Sequence, residues 1–341
     1  MLLVGLTGSI ATGKSTVSRI LSSPPHNLSI VDADLLARKV VEPGTKGYWR
    51  IVQEFGEEVL LLDEPKPESN AYEEGSEEEK KKKKVGGILA LRDANKSEEA
   101  HHKLRPIDRA ALGRVVFGDT PEKQRRRKIL NSIIHPAVRW EMCKSIFYHY
   151  LRGEWAVVLD VPLLFEGGLD LWCGCVVVVA MSEAEKQVER LVERDRGGGG
   201  AAARMGRATD GQQGLTESEA WERIKSQWSV MDKADRCHLR DRPHFSWILS
   251  WVWSWFRQLP PPLQVYVPSA LPSRGLVIWN DGSKDELKRE VDRKVVRLRR
   301  SSPAWWTWAC LLLSPLGIAA GLVQVVLNIL DRRYWNNTKQ Q

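Results

Sequence analysis

The chain has 341 residues, a formal net charge of +8, 43% apolar residues and 28% charged residues. This balance excludes a wholly disordered chain and a polytopic membrane protein. The five cysteines form no Cys-x-x-Cys pair, which excludes a disulfide scaffold and a cysteine-rich zinc site. The basic runs lack the interleaved aromatic residues of an RNA-binding sheet, so we expect no nucleic-acid partner.

Five short apolar runs predict the strands of a parallel sheet, because continuous apolar sequence suits strands that are covered on both faces. Helical patterns lie between the runs, so the sequence predicts a three-layer α/β fold. The first run begins directly after Met1, which favours a buried strand over a signal peptide. The predicted strands are Leu2–Leu6, Leu28–Val31, Ala156–Leu159, Val176–Ala180 and Leu276–Ile278, and the clearest predicted helices are Ala184–Arg196 and Ser218–Trp228.

A phosphate-binding loop follows the first predicted strand. Residues Gly8–Ser15 fit the pattern G-x-x-x-x-G-K-[ST] between a strand and a helix that starts near Lys14. In such a loop the backbone N–H groups surround phosphates, Lys14 reaches the β- and γ-phosphates, and the Ser15 hydroxyl binds Mg²⁺. The alternative is a glycine-rich turn without a ligand. The sequence therefore predicts ATP and Mg²⁺ as cofactors, with phosphate contacts from Gly8, Ser9, Ala11, Thr12, Gly13, Lys14, Ser15 and Thr16.

The loop alone does not decide whether the γ-phosphoryl group passes to water or to an acceptor. A switch GTPase would carry an N-K-x-D motif, which the chain lacks. The second strand is followed by Asp32 and Asp34, and a carboxylate here can accept the proton of an acceptor hydroxyl. Arg38 lies one helical turn after Asp34, on the same face, where it can hold an anionic acceptor. For Asp32 a helix N-cap is an equal alternative.

Asp160 directly follows the third predicted strand, at the usual position of the residue that holds Mg²⁺ through water in P-loop enzymes. An ordinary turn at the end of the strand is the alternative.

Together these motifs resemble the dephospho-CoA kinases, which catalyse the last step of coenzyme A synthesis. The matching segments follow the family's order and cover essentially all of the predicted core. They are Leu6–Thr16, Val31–Gly44, Asp108–Phe117, Ile134–Pro136, Pro162–Glu166, Arg190–Asp195, Arg223–Gln227 and Ile278–Gly282.

The resemblance implies a P-loop core, a helical CoA-binding domain around residues 106–152 and a lid around residues 183–230. It makes Asp34 the base that deprotonates the ribose 3′-hydroxyl of dephospho-CoA. It places Arg190 and Arg194 on the ATP phosphates and Asn280 near the adenine. The implied contacts with dephospho-CoA come from Asp32, Arg38, Arg109, His135, Pro162 and Leu163. From the residues alone, His135 before Pro136 is more typical of a helix boundary.

Three segments interrupt this pattern and divide the chain. They are predicted insertions at residues 64–105, 197–214 and 237–275 within a kinase domain that spans residues 1–300. The first is rich in Glu and Lys, the second begins with four glycines, and the third carries a tryptophan cluster. For residues 237–275, a natural insertion and a gene-model error such as a retained intron both remain open.

The remaining residues, 301–341, form a tail with a long apolar run. No charged residue occurs from Ser301 to Leu330, which is longer than the roughly 20 residues that cross a bilayer. Tryptophans open the run and basic residues flank it on both sides, with the richer flank toward the kinase. We therefore expect a transmembrane helix and a cytosolic kinase domain, tail-anchored to the endoplasmic reticulum or the mitochondrial outer membrane. A helix packed on the kinase, or a hairpin bent at Pro315, is the alternative.

The sequence is compatible with three functions. The first is an ATP-dependent kinase for dephospho-CoA, with a complex of CoA-synthesis enzymes as a further partner. The second is a membrane-anchored scaffold that kept the fold and lost turnover, as the long insertions suggest. The third is another small-metabolite P-loop kinase. All expected catalytic positions are present, which favours the first.

Overall fold

The computed structural model describes residues 1–61, 105–196, 216–241, 274–301 and 314–340. In these residues five strands form one sheet in the order β2-β3-β1-β4-β5, and all neighbouring strands are parallel. The predicted sheet is confirmed, with every predicted strand end within two residues of the observed one. The strands are β1 (Leu2–Gly8), β2 (Ser29–Asp32), β3 (Ala156–Asp160), β4 (Cys175–Ala180) and β5 (Gly275–Trp279).

Helices connect these strands and follow the last one. In chain order they are α1 (Lys14–Ser22), α2 (Ala33–Lys39), α3 (Lys46–Phe55), α4 (Arg109–Val116), α5 (Pro121–Leu151), α6 (Ala184–Arg196), α7 (Glu217–Lys225), α8 (Val230–Asp241), α9 (Lys284–Ser301) and α10 (Ser314–Gln340). Two short 3₁₀ turns lie at Glu57–Val59 and Leu169–Trp172. Helix α6 has the predicted bounds, whereas α7 ends three residues before the predicted Trp228.

Helices cover both faces of the sheet, as the apolar strands require. On one face, side chains such as Val4 and Leu6 of β1 pack with α1 and with α9. On the other face α8 packs against β4 and β5. The three-layer α/β prediction is thus confirmed. Each fully buried Val or Leu of this core contributes about 1.5–3 kcal/mol to the stability of the fold, because its side chain leaves water. The sheet therefore holds the ends of its strands in fixed positions.

The chain divides into two compact units. The first contains the sheet with helices α1, α6, α7, α8, α9 and α10. The second runs from Asp34 to Glu141 and is helical. Its core contains Tyr48, Ile51, Leu112 and Ile133, and an antiparallel bridge joins Leu60 to Ile107 across the ends of the segment that the structure does not describe.

The predicted insertions lie almost entirely outside the described residues. The exceptions are Arg105 and the two ends of the segment at 237–275, whose last residue, Gly275, begins β5. Residues up to Asp241 belong to α8, and Cys237 and Arg240 are buried there. The predicted boundary at residue 237 was set by a change in composition. Helix α8 continues past it, because its few apolar residues lie on one side of the helix among many charged ones.

The tail also differs from its prediction. None of the helices formed by the described residues is both long enough and apolar enough to cross a bilayer. Residues 302–313, with the first part of the predicted span, lie outside the described residues. The remainder forms α10, which packs against α8 and the 3₁₀ turn at Leu169–Trp172. The structure of α10 therefore agrees with the alternative prediction of a helix packed on the kinase, because its polar residues Asn328 and Asp331 are buried against protein.

Candidate active site

The phosphate-binding loop joins β1 to α1, as predicted. Ala11 and Gly13 both have positive φ, 63° and 93°, and α1 begins at Lys14. When residues with positive φ alternate with residues of negative φ, successive backbone N–H groups point inward and form an anion-binding nest. The buried Thr12 hydroxyl donates to the Ser9 carbonyl at 2.9 Å and closes the turn. The loop therefore has the geometry that receives phosphates.

Asn280, directly after β5, holds the loop from the side. Its Nδ2 donates to the Thr12 carbonyl at 2.9 Å, and the residue is buried. A side chain on Gly13 would overlap this amide. The contact requires both the glycine and the asparagine, so Asn280 has a structural role in holding the loop. Its expected place near the adenine stays a prediction.

Lys14 and Asp160 meet at the carboxyl end of the sheet. The Lys14 Nζ lies 2.5 Å from Asp160 Oδ1, and the aspartate is buried. The pairing of β1 with β3 places Leu6 opposite Asp160, so the loop after β1 starts beside this carboxylate. Asp160 thus lies where a carboxylate can orient the lysine and hold a cation next to the phosphates.

The residues present fit Mg²⁺. This ion prefers hard oxygen ligands, and usually takes one or two from protein while phosphates and water supply the rest. Ser15 is exposed at the start of α1, and Asp160 presents a carboxylate beside Lys14. These are the two predicted metal ligands, and their chemistry matches the ion.

Helices α6 and α7 pack against each other and onto the loop. Val188, Leu191 and Ala220 form their shared core, with Ile10 and Ala11 packed against it. Gln187 is buried and donates from Nε2 to the Ile10 carbonyl at 2.5 Å.

Both predicted lid arginines lie on α6. The Arg190 guanidinium is 3.5 Å from the Asn280 carbonyl, and Arg194 is exposed one turn later. The helix that carries them is therefore fixed to the phosphate-binding loop.

The segment after β3 is held by buried polar contacts. The Pro162 carbonyl accepts from Thr7 Oγ1 at 2.8 Å and from Lys233 Nζ at 3.3 Å. Lys233 also pairs with Glu166 at 3.1 Å, and burial lowers its pKa while the nearby carboxylate opposes the shift. Leu163 between them is exposed. The two predicted substrate contacts, Pro162 and Leu163, thus lie on a segment fixed to β1 and α8.

The other predicted substrate residues belong mainly to the second unit. Asp34 and Arg38 are exposed on α2, one helical turn apart, and Asp32 is the last residue of β2 directly before that helix. Arg109 is exposed at the start of α4, which is capped by Asp108 through hydrogen bonds to the Ala110 and Ala111 amides. Their roles stay predictions.

His135 is exposed in the middle of α5, which runs through Pro136 without a break. The helix-boundary interpretation of His135 is therefore wrong. A proline removes one hydrogen bond from a helix, and this 31-residue helix retains enough others on both sides to continue.

Sequence reasoning missed three residues of this site. Gln187 shares the buried face of α6 with Leu191, so its helical spacing was an available signal. Trp228 stacks on Phe165 through its ring. Its backbone N–H donates to Glu166 Oε1 at 3.4 Å, and its carbonyl accepts from the Ser9 hydroxyl. Trp228 and Lys233 reach the site through packing between distant segments, for which the local sequence carries no signal.

A parallel sheet of this order, with a phosphate-binding loop after its central strand and a lysine–aspartate pair at its carboxyl edge, defines a P-loop nucleotide-binding protein of the kinase type. The sequence model of the family described as dephospho-CoA kinase matches residues 2–68 and 101–208. The chain belongs to the dephospho-CoA kinase family.

Individual relatives agree with this assignment. The chain is 38% identical over 238 residues to the dephospho-CoA kinase CAB5 of Saccharomyces cerevisiae, covering 69% of this chain and 73% of the yeast protein. It is 35% identical to a dephospho-CoA kinase of Listeria monocytogenes, over 68% of this chain and 84% of the bacterial one. An uncharacterised protein of Caenorhabditis elegans is also 35% identical, over 70% of this chain and 74% of its own length.

Proposed function

We propose that this chain transfers the γ-phosphoryl group of ATP to the ribose 3′-hydroxyl of dephospho-CoA, giving coenzyme A and ADP. Membership of the dephospho-CoA kinase family carries this conclusion. The phosphate-binding loop with its Lys14–Asp160 pair supplies the machinery that such a reaction needs. The kinase prediction is thereby favoured over the scaffold and over another small-metabolite kinase.

In the proposed mechanism the phosphates of ATP lie on the inward N–H groups of residues 8–16. Lys14 is a cation beside the β- and γ-phosphates, where it offsets charge that spreads over the phosphoryl oxygens in the transition state. Arg190 and Arg194 on α6 add positive charge from the lid, and α6 and α7 exclude water from the phosphates. Each contribution is larger because the site is partly dry.

Asp34 acts as the general base. It accepts the proton of the ribose 3′-hydroxyl as that oxygen bonds to the γ-phosphorus, while the bond to the β-phosphate oxygen breaks and ADP leaves. Arg38, Arg109 and His135 bind the anionic acceptor, together with Asp32, Pro162 and Leu163. We propose that Ser15 and Asp160 hold Mg²⁺, which when bound neutralises phosphate charge.

The test is acceptor-dependent release of ADP by the purified full-length chain. With ATP and Mg²⁺, we expect release to require dephospho-CoA. Adenosine and phosphopantetheine, which each carry one part of that molecule, are the matched control acceptors. Equal rates with adenosine would favour another small-metabolite kinase, and nucleotide binding without any acceptor-dependent release would favour the scaffold.

We also propose that the protein associates with an intracellular membrane through its tail, with the kinase on the cytosolic side, at the endoplasmic reticulum or the mitochondrial outer membrane. Its support is the uncharged sequence from Ser301 to Leu330 and the basic residues that flank it. Fractionation of cells that express the full chain tests this association. A complex with other CoA-synthesis enzymes remains a prediction that co-purification from the same fractions would test.

A further inference from the structure

The tail helix α10 has an inner face that is fixed to the kinase by buried polar groups. Asn328 is fully buried, and its Nδ2 donates to the carbonyls of Leu171 at 2.7 Å and Cys173 at 3.1 Å. Three residues later, Asp331 is buried and pairs with Arg274 at 2.8 Å. These contacts determine which side of α10 faces the protein.

The opposite side of α10 is apolar and exposed. Ile318, Leu322, Val326 and Ile329 are spaced by four, four and three residues, so they lie along one side of the helix. Their exposed fractions are 65%, 63%, 54% and 37%, and Val323 beside them is 53% exposed. We call these five residues the outer stripe. A continuous exposed apolar surface of this kind is typical of a binding surface rather than of ordinary protein surface.

The exposed charged residues of α10 itself are positive. Asp331 is the sole acidic residue in the sequence of α10, and it is buried against Arg274. Arg333 follows Ile329 by four residues and is exposed, so it lies at the end of the stripe. The nearby Lys339 pairs with Asp232 of α8. An apolar stripe that ends in a basic residue, without exposed acidic groups on its helix, matches an anionic lipid surface.

We propose that α10 is an interfacial helix. It lies parallel to the membrane, with its inner face on the kinase and its outer stripe inserted among the lipids of an anionic membrane surface. This mode of attachment rests on the membrane association proposed above, but it does not depend on catalysis. It differs from a spanning helix, because moving α10 into the bilayer would separate Asn328 and Asp331 from their partners and leave buried polar groups unpaired in hydrocarbon.

Residues that prefer membrane interfaces also precede α10 in the sequence. Trp305, Trp306 and Trp308 occur within the twelve residues before it. They lie outside the described residues and are not part of the proposed surface, so the experiment below acts on α10 alone.

The test measures binding of the full-length protein to protein-free vesicles, made either of phosphatidylcholine or of phosphatidylcholine with phosphatidylserine. We expect binding that is stronger to the anionic vesicles. The double variant Leu322→Glu/Val326→Glu should bind at least about tenfold more weakly, because it puts two charges where apolar side chains leave water. Leu151→Glu is the matched control, since Leu151 is 56% exposed at the end of α5 and should leave binding unchanged. Both variants should keep wild-type thermal stability.

Several outcomes overturn the proposal. Equal vesicle binding by the double variant and the wild type would remove the outer stripe as the lipid surface. Resistance of the membrane-bound protein to alkaline carbonate would identify a spanning helix. Recovery with cell membranes but not with vesicles would identify a protein partner, and loss of a dimer in the double variant would identify a second copy of the chain. Absence from cell membranes altogether would remove the membrane association as well, whereas the kinase assay would be unaffected.

Discussion

Gly13 shows how a single residue fixes the shape of the phosphate-binding loop. Its φ of 93° and the approach of Asn280 both require the absence of a side chain. The pattern of the motif predicted the glycine, but its contact with Asn280 depends on two segments that lie far apart in the chain. The physical reason for the residue is therefore visible only in the fold.

Gly13→Ala is expected to lose most ATP affinity. A positive φ costs a non-glycine residue about 1–2 kcal/mol, and here the added Cβ also overlaps Asn280 Nδ2. Gly56→Ala is a matched control, because Gly56 has φ of 78° but open space around its Cβ position. ATP titration by calorimetry compares the two variants. Similar ATP affinities would show that the contact with Asn280 does not shape the loop.

Asp34→Asn is expected to abolish turnover while ATP affinity stays near the wild-type value. A general base contributes about 10²–10⁴-fold, and Asp34 lies on α2, outside the phosphate-binding loop between β1 and α1. The rate with dephospho-CoA and the ATP dissociation constant are measured on the same preparation. Asp285→Asn on the exposed start of α9 is the control. Full activity of Asp34→Asn would remove it as the base.

At the scale of elements, the strands were predictable to within two residues because both faces of the sheet are covered and the strand sequences are therefore continuously apolar. The helix α6 was equally clear from its periodicity. In contrast, α10 was predicted as part of a transmembrane helix. In the sequence, Asn328 and Asp331 interrupt the hydrophobic run only weakly. Their importance comes from their partners, which are Arg236 of α8, Arg274 before β5 and Leu171 of the 3₁₀ turn.

Asn328→Leu tests the docking of α10. The substitution leaves the Leu171 carbonyl without its Asn328 donor and Arg274 without the Asn328 Oδ1 acceptor, and each such loss costs about 1–3 kcal/mol. The Cys173 carbonyl keeps its hydrogen bond from Arg240. We expect the free energy of unfolding to fall by about 3 kcal/mol, measured by urea denaturation. Asn336→Leu makes the same change at an exposed position of α10 and should have little effect. An equal effect of both substitutions would contradict the docking.

The same contacts make the tail part of the folded kinase. Deletion of residues 301–341 removes Asn328 and Asp331 together with any membrane contact. It leaves the half-buried Arg274 without its carboxylate partner, whereas Arg236 loses one hydrogen bond and keeps its ion pair with Asp170. Unpaired buried charges are strongly destabilising. Point variants of the outer stripe therefore separate membrane binding from the stability of the kinase.

At the scale of the whole molecule, the sequence identified the family, the fold and the reaction, because ordered motifs along the chain are a global signal. The relation of the acceptor residues in the second unit to the nucleotide site is a long-range property that spacing cannot give. The Asp34→Asn variant tests the predicted role of Asp34, and the roles of Arg38, Arg109 and His135 stay predictions.

The cysteines report on the integrity of the fold. Burial raises the pKa of Cys173 and of Cys237 to about 12, and it raises that of Cys175 well above its ordinary value. A raised thiol pKa means that these groups stay protonated, and unreactive, at pH 8. Iodoacetamide at pH 8 should therefore label the exposed Cys143 but spare these three until denaturant is added. Mass spectrometry identifies the labelled cysteines. Rapid labelling of Cys173, Cys175 or Cys237 in the native protein would contradict their burial in the core.

The proposed reaction transfers a phosphoryl group to one particular hydroxyl. The most direct measurement is ³¹P nuclear magnetic resonance of the product formed by the purified full-length protein from ATP, Mg²⁺ and dephospho-CoA. We predict one new phosphomonoester on the ribose 3′-oxygen, in a quantity equal to the ADP released, and none when Asp34→Asn replaces the wild type. A phosphomonoester at another position, or ADP released without a phosphorylated acceptor, would contradict this account.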